Sequence, residues 1–244
     1  MKIVKEIFGR IWAVWCLILF ISTMFIAVIF YLPLLLMPYK KAAEWHRNVS
    51  RIWMTLFLNL IGCPIRITGK ENFKKNENYV VVCNHNSLMD IPVTTPFLPQ
   101  ANKTIAKKSF SRVPVFGWIY TWGSVLVDRK NVESRKKSYE EMKRVLQKNL
   151  DMLIFPEGSR NQTAQPLRPF YDGAFRLAID THKEIIPVLM FNTKKILPPA
   201  KPFYVMPHQI RMDILPPVST ENISMADLKE KVFKIMWSHF EANK

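Results

Sequence analysis

Hydrophobic and polar positions along the chain fall into two regimes, and the change comes near Gly62. Ahead of it, residues 11–37 carry no charged side chain, a run long enough to cross a bilayer as a helix. Residues 42–60 follow as an amphipathic helix, with Trp45, Ile52, Trp53, Leu56, Phe57 and Leu60 separated by basic and polar positions. Beyond Gly62 the period shortens. Residues 64–69 alternate as a strand does, and strand-like runs recur around residues 79–83, 103–106, 124–127, 151–155, 184–190 and 209–215. Helix-like runs separate them, around 88–97, 114–122, 132–149, 173–182 and 224–242, the first broken by Pro92 and Pro96. Strands alternating with helices predict an α/β fold: a mixed, largely parallel sheet flanked by helices. Pro198 to Pro207 reads as a surface loop, and no internal repeat or low-complexity linker divides the chain. The expected organisation is residues 1–62 as a two-helix, membrane-anchoring segment and residues 63–244 as one α/β domain.

The apolar start fits a cleaved signal peptide poorly, because the run is too long and no small-residue cleavage site follows. Lys2, Lys5 and Arg10 precede it, and Lys40, Lys41 and Arg47 follow it. With both flanks basic, the positive-inside rule sets no orientation. Two helices that dip into the bilayer and return keep both flanks on one side, and a hairpin is therefore expected in preference to a span. The charge balance agrees with an anionic partner. Lys and Arg number 35 against 19 Asp and Glu, a net +16, which points to nucleic acid, an acidic lipid surface, a phosphorylated substrate or an acidic carrier protein. Nucleic acid drops out, since the charged helix at 132–149 reads as a solvated face and no binding module is present. Three cysteines, Cys16, Cys63 and Cys83, have no pairing or metal-ligand spacing and read as reduced core or membrane residues.

Chemistry enters where the strand Tyr79–Cys83 breaks into Asn84-His85-Asn86-Ser87 and then into Leu88-Met89-Asp90. Strand ends are where α/β folds place reactive groups. Histidine can take a proton near neutral pH, and a carboxylate on its far nitrogen would hold the tautomer and stabilise the imidazolium. On a continuous helix His85 and Asp90 would sit about 140° apart; they meet only if His85 is on the loop and Asp90 in the first helical turn. The competing reading is a plain capping box, Ser87 as N-cap and Asp90 at N3. This window alone leaves both open. Cys83 and Ser87 are nearby nucleophiles through which a covalent route would run, but they read as core packing and cap. Two further strands end in charge, at Gly123…Asp128-Arg129 and at Phe155-Pro156-Glu157-Gly158-Ser159-Arg160. Guanidinium forks suit phosphate oxygens, although Asp128-Arg129 alone also fits a surface ion pair. A basic loop, Ala106-Lys107-Lys108, precedes Pro114 to Gly117.

These pieces, with Ile186-Pro187-Val188, stand in the order and spacing of the glycerophospholipid acyltransferases, which the chain resembles from about Pro64 to Pro217, and most closely their bacterial members that acylate lysophosphatidic acid. The resemblance implies transfer of a fatty acyl group from acyl-CoA or acyl-carrier protein to the sn-2 hydroxyl of lysophosphatidic acid, giving phosphatidic acid. It implies His85 as general base oriented by Asp90. Arg129 and Arg160, with Lys107, would hold the acceptor phosphate; Glu157 and Gly158 would shape the glycerol site, with Ser159 standing where threonine is common. Backbone amides after Ser87 would serve the developing oxyanion. No cofactor and no metal are called for, the partners being membrane lipid and the acyl donor rather than nucleic acid. The expected location is the cytoplasmic face of a bacterial inner membrane. The alternatives are another lysolipid acceptor and a non-catalytic lipid-binding protein.

Overall fold

The computed structural model describes residues 2–244 and places the α/β domain around one seven-stranded sheet in the order β1-β7-β6-β2-β5-β3-β4. The strands are β1 (Ile65–Thr68), β2 (Val80–Cys83), β3 (Asn102–Lys107), β4 (Ser124–Val127), β5 (Asp151–Ile154), β6 (Ile185–Phe191) and β7 (Ile210–Ile214). The five strands from β6 to β4 run parallel, while β7 returns antiparallel to β6 and carries β1 parallel to itself. The expected mixed, largely parallel sheet is therefore present, with every strand region read from the pattern occupied.

Eight helices cover the sheet: α1 (Lys2–Tyr31), α2 (Tyr39–Leu60), α3 (Asp90–Phe97), α4 (Phe116–Trp122), α5 (Val132–Gln147), α6 (Gly173–Thr181), the single turn α7 (Thr193–Ile196) and α8 (Met225–Asn243). The strand period of two sorts the core into two layers. Val81 and Cys83 of β2, with Leu153, Ile186, Val188 and Met190, pack toward Trp53, Phe57, Val93 and Ile119 of α2, α3 and α4. Val80 and Val82, with Met152, Ile154, Ile185 and Leu189, pack toward Val145, Phe175, Leu177, Val232 and Met236 of α5, α6 and α8. Central strands buried on both faces need unbroken apolar runs, and Val-Val-Val-Cys in β2 is buried throughout.

The helices ahead of residue 62 pack closely on the sheet that follows them. Residues 2–60 form two long helices, joined by the 3-10 turn Leu32–Leu36, and α2 packs as a layer against the sheet core. It is tied to α1 by Tyr31 and Ser50 (2.6 Å) and by Trp53 Nε1 donating to Thr23 Oγ1 (2.9 Å). Arg47 and Arg51 of α2 donate to the carbonyls of Pro96, Leu98 and Pro99 at the end of α3. The outward side of α1 is the opposite case: Ile11, Ile18, Phe25, Ile26 and Ile29 are exposed. The stretch from Lys2 to Leu36 is long and apolar enough to cross a membrane, with little of it buried.

Candidate active site

The four neighbouring parallel strands β2, β5, β3 and β4 all end at the same edge of the sheet, so the segments that follow them are gathered within about 15 Å at ordinary strand spacing. After β2 comes the loop Asn84–Met89. Asn84 extends the ladder with its side chain, Nδ2 donating to Met190 O (3.0 Å) and Oδ1 accepting from Met190 N (2.7 Å). This locks the chain direction just before His85. His85 then leaves the strand with its ring against Phe155, 4.6 Å between centroids, on the layer side of the sheet that α1 and α2 cover.

His85 and Asp90 meet. Asp90 opens α3 and is fully buried, and its Oδ2 lies 2.9 Å from His85 Nδ1. The same oxygen accepts the amides of Asn86 and Ser87, each at 2.6 Å. The carboxylate holds the turn through backbone amides and the imidazole with the same atom, which is not the capping box read from the sequence. Ser87 is not the N-cap, a position that Met89 takes directly before α3; its hydroxyl donates to Leu197 O (2.9 Å) and accepts from Met89 N (3.3 Å). Of the amides after Ser87 expected to serve an oxyanion, Met89 N and Asp90 N bond back to Ser87, which leaves Leu88 N.

His85 is held from the β5 side as well. Its backbone N–H donates to Glu157 Oε1 (2.8 Å), and its carbonyl accepts from Asn161 N (2.6 Å). Glu157 is 1% exposed and its other oxygen accepts from Arg168 N (3.0 Å). Both oxygens are thus engaged by backbone, so Glu157 braces the loops where a glycerol-lining role was expected. Burial pushes its carboxyl up to about 7, against the pull of the two amides. Asn161 and Arg168 were not singled out from the sequence; only their nearness to Gly158, which turns at φ 67°, hinted at them.

Two arginines reach this turn from neighbouring segments. Arg129, after β4, donates through Nη1 to Gly158 O, and Arg168 donates through Nη1 to Ser159 Oγ. Arg160 is partly exposed and Lys107, at the end of β3, is exposed. Asp128 does not pair with Arg129; its Oδ1 accepts Lys130 N (3.1 Å) as a turn residue. Cys83 is fully buried among Tyr79, Val81 and Val93, and burial, with Asp90 nearby, holds its thiol well above the usual range. A neutral, enclosed thiol is a poor nucleophile, in keeping with core packing.

An oriented histidine at the strand ends of a largely parallel sheet, with arginines on the turn after the neighbouring strand, defines an α/β protein with a candidate active site at that edge. The chain belongs to the acyltransferase family, whose model, described as Acyltransferase, matches residues 64–191. It is 33% identical over 178 residues to the 1-acyl-sn-glycerol-3-phosphate acyltransferase of Cocos nucifera, covering 71% of this chain and 57% of that protein. The enzyme of that name from Saccharomyces cerevisiae is 30% identical, covering 80% of this chain and 64% of its own length. The alpha form from Mus musculus is 30% identical, with 82% and 72% covered. The chain thus spans 57% and 64% of the first two relatives. The crystal structure of the 1-acyl-sn-glycerophosphate acyltransferase PlsC from Thermotoga maritima superposes with a TM-score of 0.81 at 21% identity, covering 99% of this chain and 97% of that one, which shows the shared fold.

Proposed function

We propose that the chain is an O-acyltransferase that moves a fatty acyl group from a thioester, acyl-CoA or acyl-carrier protein, to the sn-2 hydroxyl of lysophosphatidic acid. The observation that carries the reading is the contact between His85 Nδ1 and buried Asp90 Oδ2, because lipid binding alone needs no oriented base. With Nδ1–H committed to Asp90, Nε2 is the nitrogen left to accept a proton, and no hydrogen bond occupies it among the described residues. Nε2 takes the acceptor's hydroxyl proton as the oxygen attacks the thioester carbonyl. Asp90 stabilises the imidazolium that forms. The tetrahedral intermediate then collapses with cleavage of the C–S bond, and the imidazolium returns its proton to the departing thiolate. Leu88 N is the backbone donor available to the oxyanion, and Arg129, Arg160 and Lys107 hold the acceptor phosphate. The names of the relatives support this acceptor. Direct attack suffices, with no acyl-enzyme. The apolar outer side of α1 seats the enzyme as a monotopic protein on a membrane, on the cytoplasmic face of a bacterial inner membrane, where acceptor, product and both donors meet.

The test is acyl transfer from a labelled donor to lysophosphatidic acid. His85→Ala is expected to lower kcat by about a thousandfold and Asp90→Asn by about a hundredfold or more. Arg160→Ala is expected to act mainly on acceptor KM. Full activity in His85→Ala would remove the general base. Wild-type activity on a different lysolipid, with none on lysophosphatidic acid, would keep the chemistry and move the acceptor.

A further inference from the structure

The turn Phe155–Arg160 has guanidinium groups on two sides and one within it. Arg129 reaches it from the end of β4 and Arg168 from the following loop, while Arg160 belongs to it. Arg168 does not lie there by chance of side-chain conformation. Its backbone is fixed beside the turn by Arg168 N donating to Glu157 Oε2 (3.0 Å) and, three residues on, by Tyr171 N donating to Pro156 O (2.9 Å). Its guanidinium stays partly exposed and bonds only Ser159 Oγ.

None of Arg129, Arg160 and Arg168 forms a salt bridge among the described residues, although ten other pairs beside the His85–Asp90 pair do form along the chain. The carboxylate that faces Arg168, Glu157, is buried with both oxygens on backbone amides. Asp128 is spent on its own turn and Asp172 on Lys229. Two guanidinium groups reaching one short turn that itself carries a third arginine, with the neighbouring acids engaged elsewhere, suit an anion carrying more than one charge.

Resting on the acceptor reading above, we infer that Arg168 is a third phosphate-binding residue, working with Ser159, and that it sets a preference for a dianionic phosphomonoester head group over a singly charged phosphodiester. A guanidinium and the hydroxyl it orients present parallel donors to a terminal phosphate oxygen. A diester has replaced one such oxygen by an esterified, uncharged one, and gains little from the third cation.

Arg168→Gln and Arg168→Lys can be compared with wild type on lysophosphatidic acid and on its phosphate methyl ester. Both variants keep the backbone bond to Glu157, so folding is preserved, and a melting curve checks this. Arg168→Gln is expected to raise KM for the phosphomonoester by about tenfold, the loss of a charge-assisted hydrogen bond. KM for the methyl ester should stay within about twofold, kcat within about threefold, and Arg168→Lys should recover most of the loss. An equal rise for both acceptors, or a fall in kcat with KM unchanged, would overturn the inference. Should wild type acylate neither compound, the acceptor reading fails on its own, and Arg168 is judged by phenylglyoxal modification with and without glycerol 3-phosphate. Protection of Arg168 would uphold the anion site, and an unchanged modification rate would dismiss it.

Discussion

Glu157 shows how one buried side chain sets a cost that the fold accepts in return for geometry. Its carboxylate sits under the site, joining the His85 amide to the Arg168 amide. Burial raises it from an ordinary 4.5 to about 7. Below pH 4.5 the group is protonated in both folded and unfolded chains. Between 4.5 and 7 only the unfolded chain ionises, so stability falls as pH rises; above 7 both ionise and the slope ends. The loss is on the order of 3 kcal/mol for a shift of this size. Asp151, at the opposite edge of the sheet, is pushed up to about 8 by burial and acts with the same sign. Urea unfolding of wild type and Glu157→Gln across pH 4–8 separates the two. The variant has a constant penalty from its amide facing Arg168 N–H, but between 4.5 and 7 its curve should fall less steeply than that of wild type, keeping only the part that Asp151 contributes. Parallel curves would mean that Glu157 is ionised throughout.

At the scale of elements, α3 is the piece on which the site depends, since its first residue is Asp90. It is eight residues long with Pro96 near its end, too short and too interrupted to hold itself. Its terminal carbonyls are met by α2, Arg51 donating to Pro96 O (2.9 Å) and Leu98 O (2.8 Å) and Arg47 to Leu98 O (2.8 Å). Arg51→Met is therefore expected to cost about 1–3 kcal/mol, read from denaturant unfolding in detergent, by leaving Pro96 O without a donor while Leu98 O keeps Arg47. A change below half a kcal/mol would show that water replaces the guanidinium. This tie was not legible in the sequence, where Arg47 and Arg51 read as the polar side of an amphipathic helix. What was legible is what periodicity and strand-end chemistry report: seven strands, the long helices, and His85 on a loop with Asp90 in a first turn. One-turn α7 carries too few residues to show a period. The role of Glu157 was hidden for another reason. Its partners are backbone amides, and nothing in residue identity marks which amide a carboxylate will meet.

The whole molecule presents two unlike surfaces, a solvated one over α5, α6 and α8 and an apolar one over α1. The apolar one makes no contribution to the core, because Ile18, Phe25 and Ile29 are 54%, 53% and 61% exposed. Replacing these three with glutamine should leave the unfolding midpoint in detergent nearly unchanged, since exposed sites seldom shift stability by more than about 0.5 kcal/mol. Sedimentation with anionic vesicles should fall by tenfold or more, as about 2 kcal/mol of transfer free energy is lost per large apolar side chain. Undiminished vesicle binding would move the membrane contact elsewhere. The sheet order has a consequence in time as well as in space. β1 lies at the sheet edge and pairs with β7, Ile65 opposite Ile210 and Thr68 opposite Asp213, so a ribosome makes 140-odd further residues before the edge strand finds its partner. During that interval α1 and α2 are made before the sheet that they cover, and a bilayer is an apolar surface able to receive the outer side of α1. The hairpin would then act first as a tether for the growing chain, holding Pro64 at the membrane while translation delivers the strands that will close over α2.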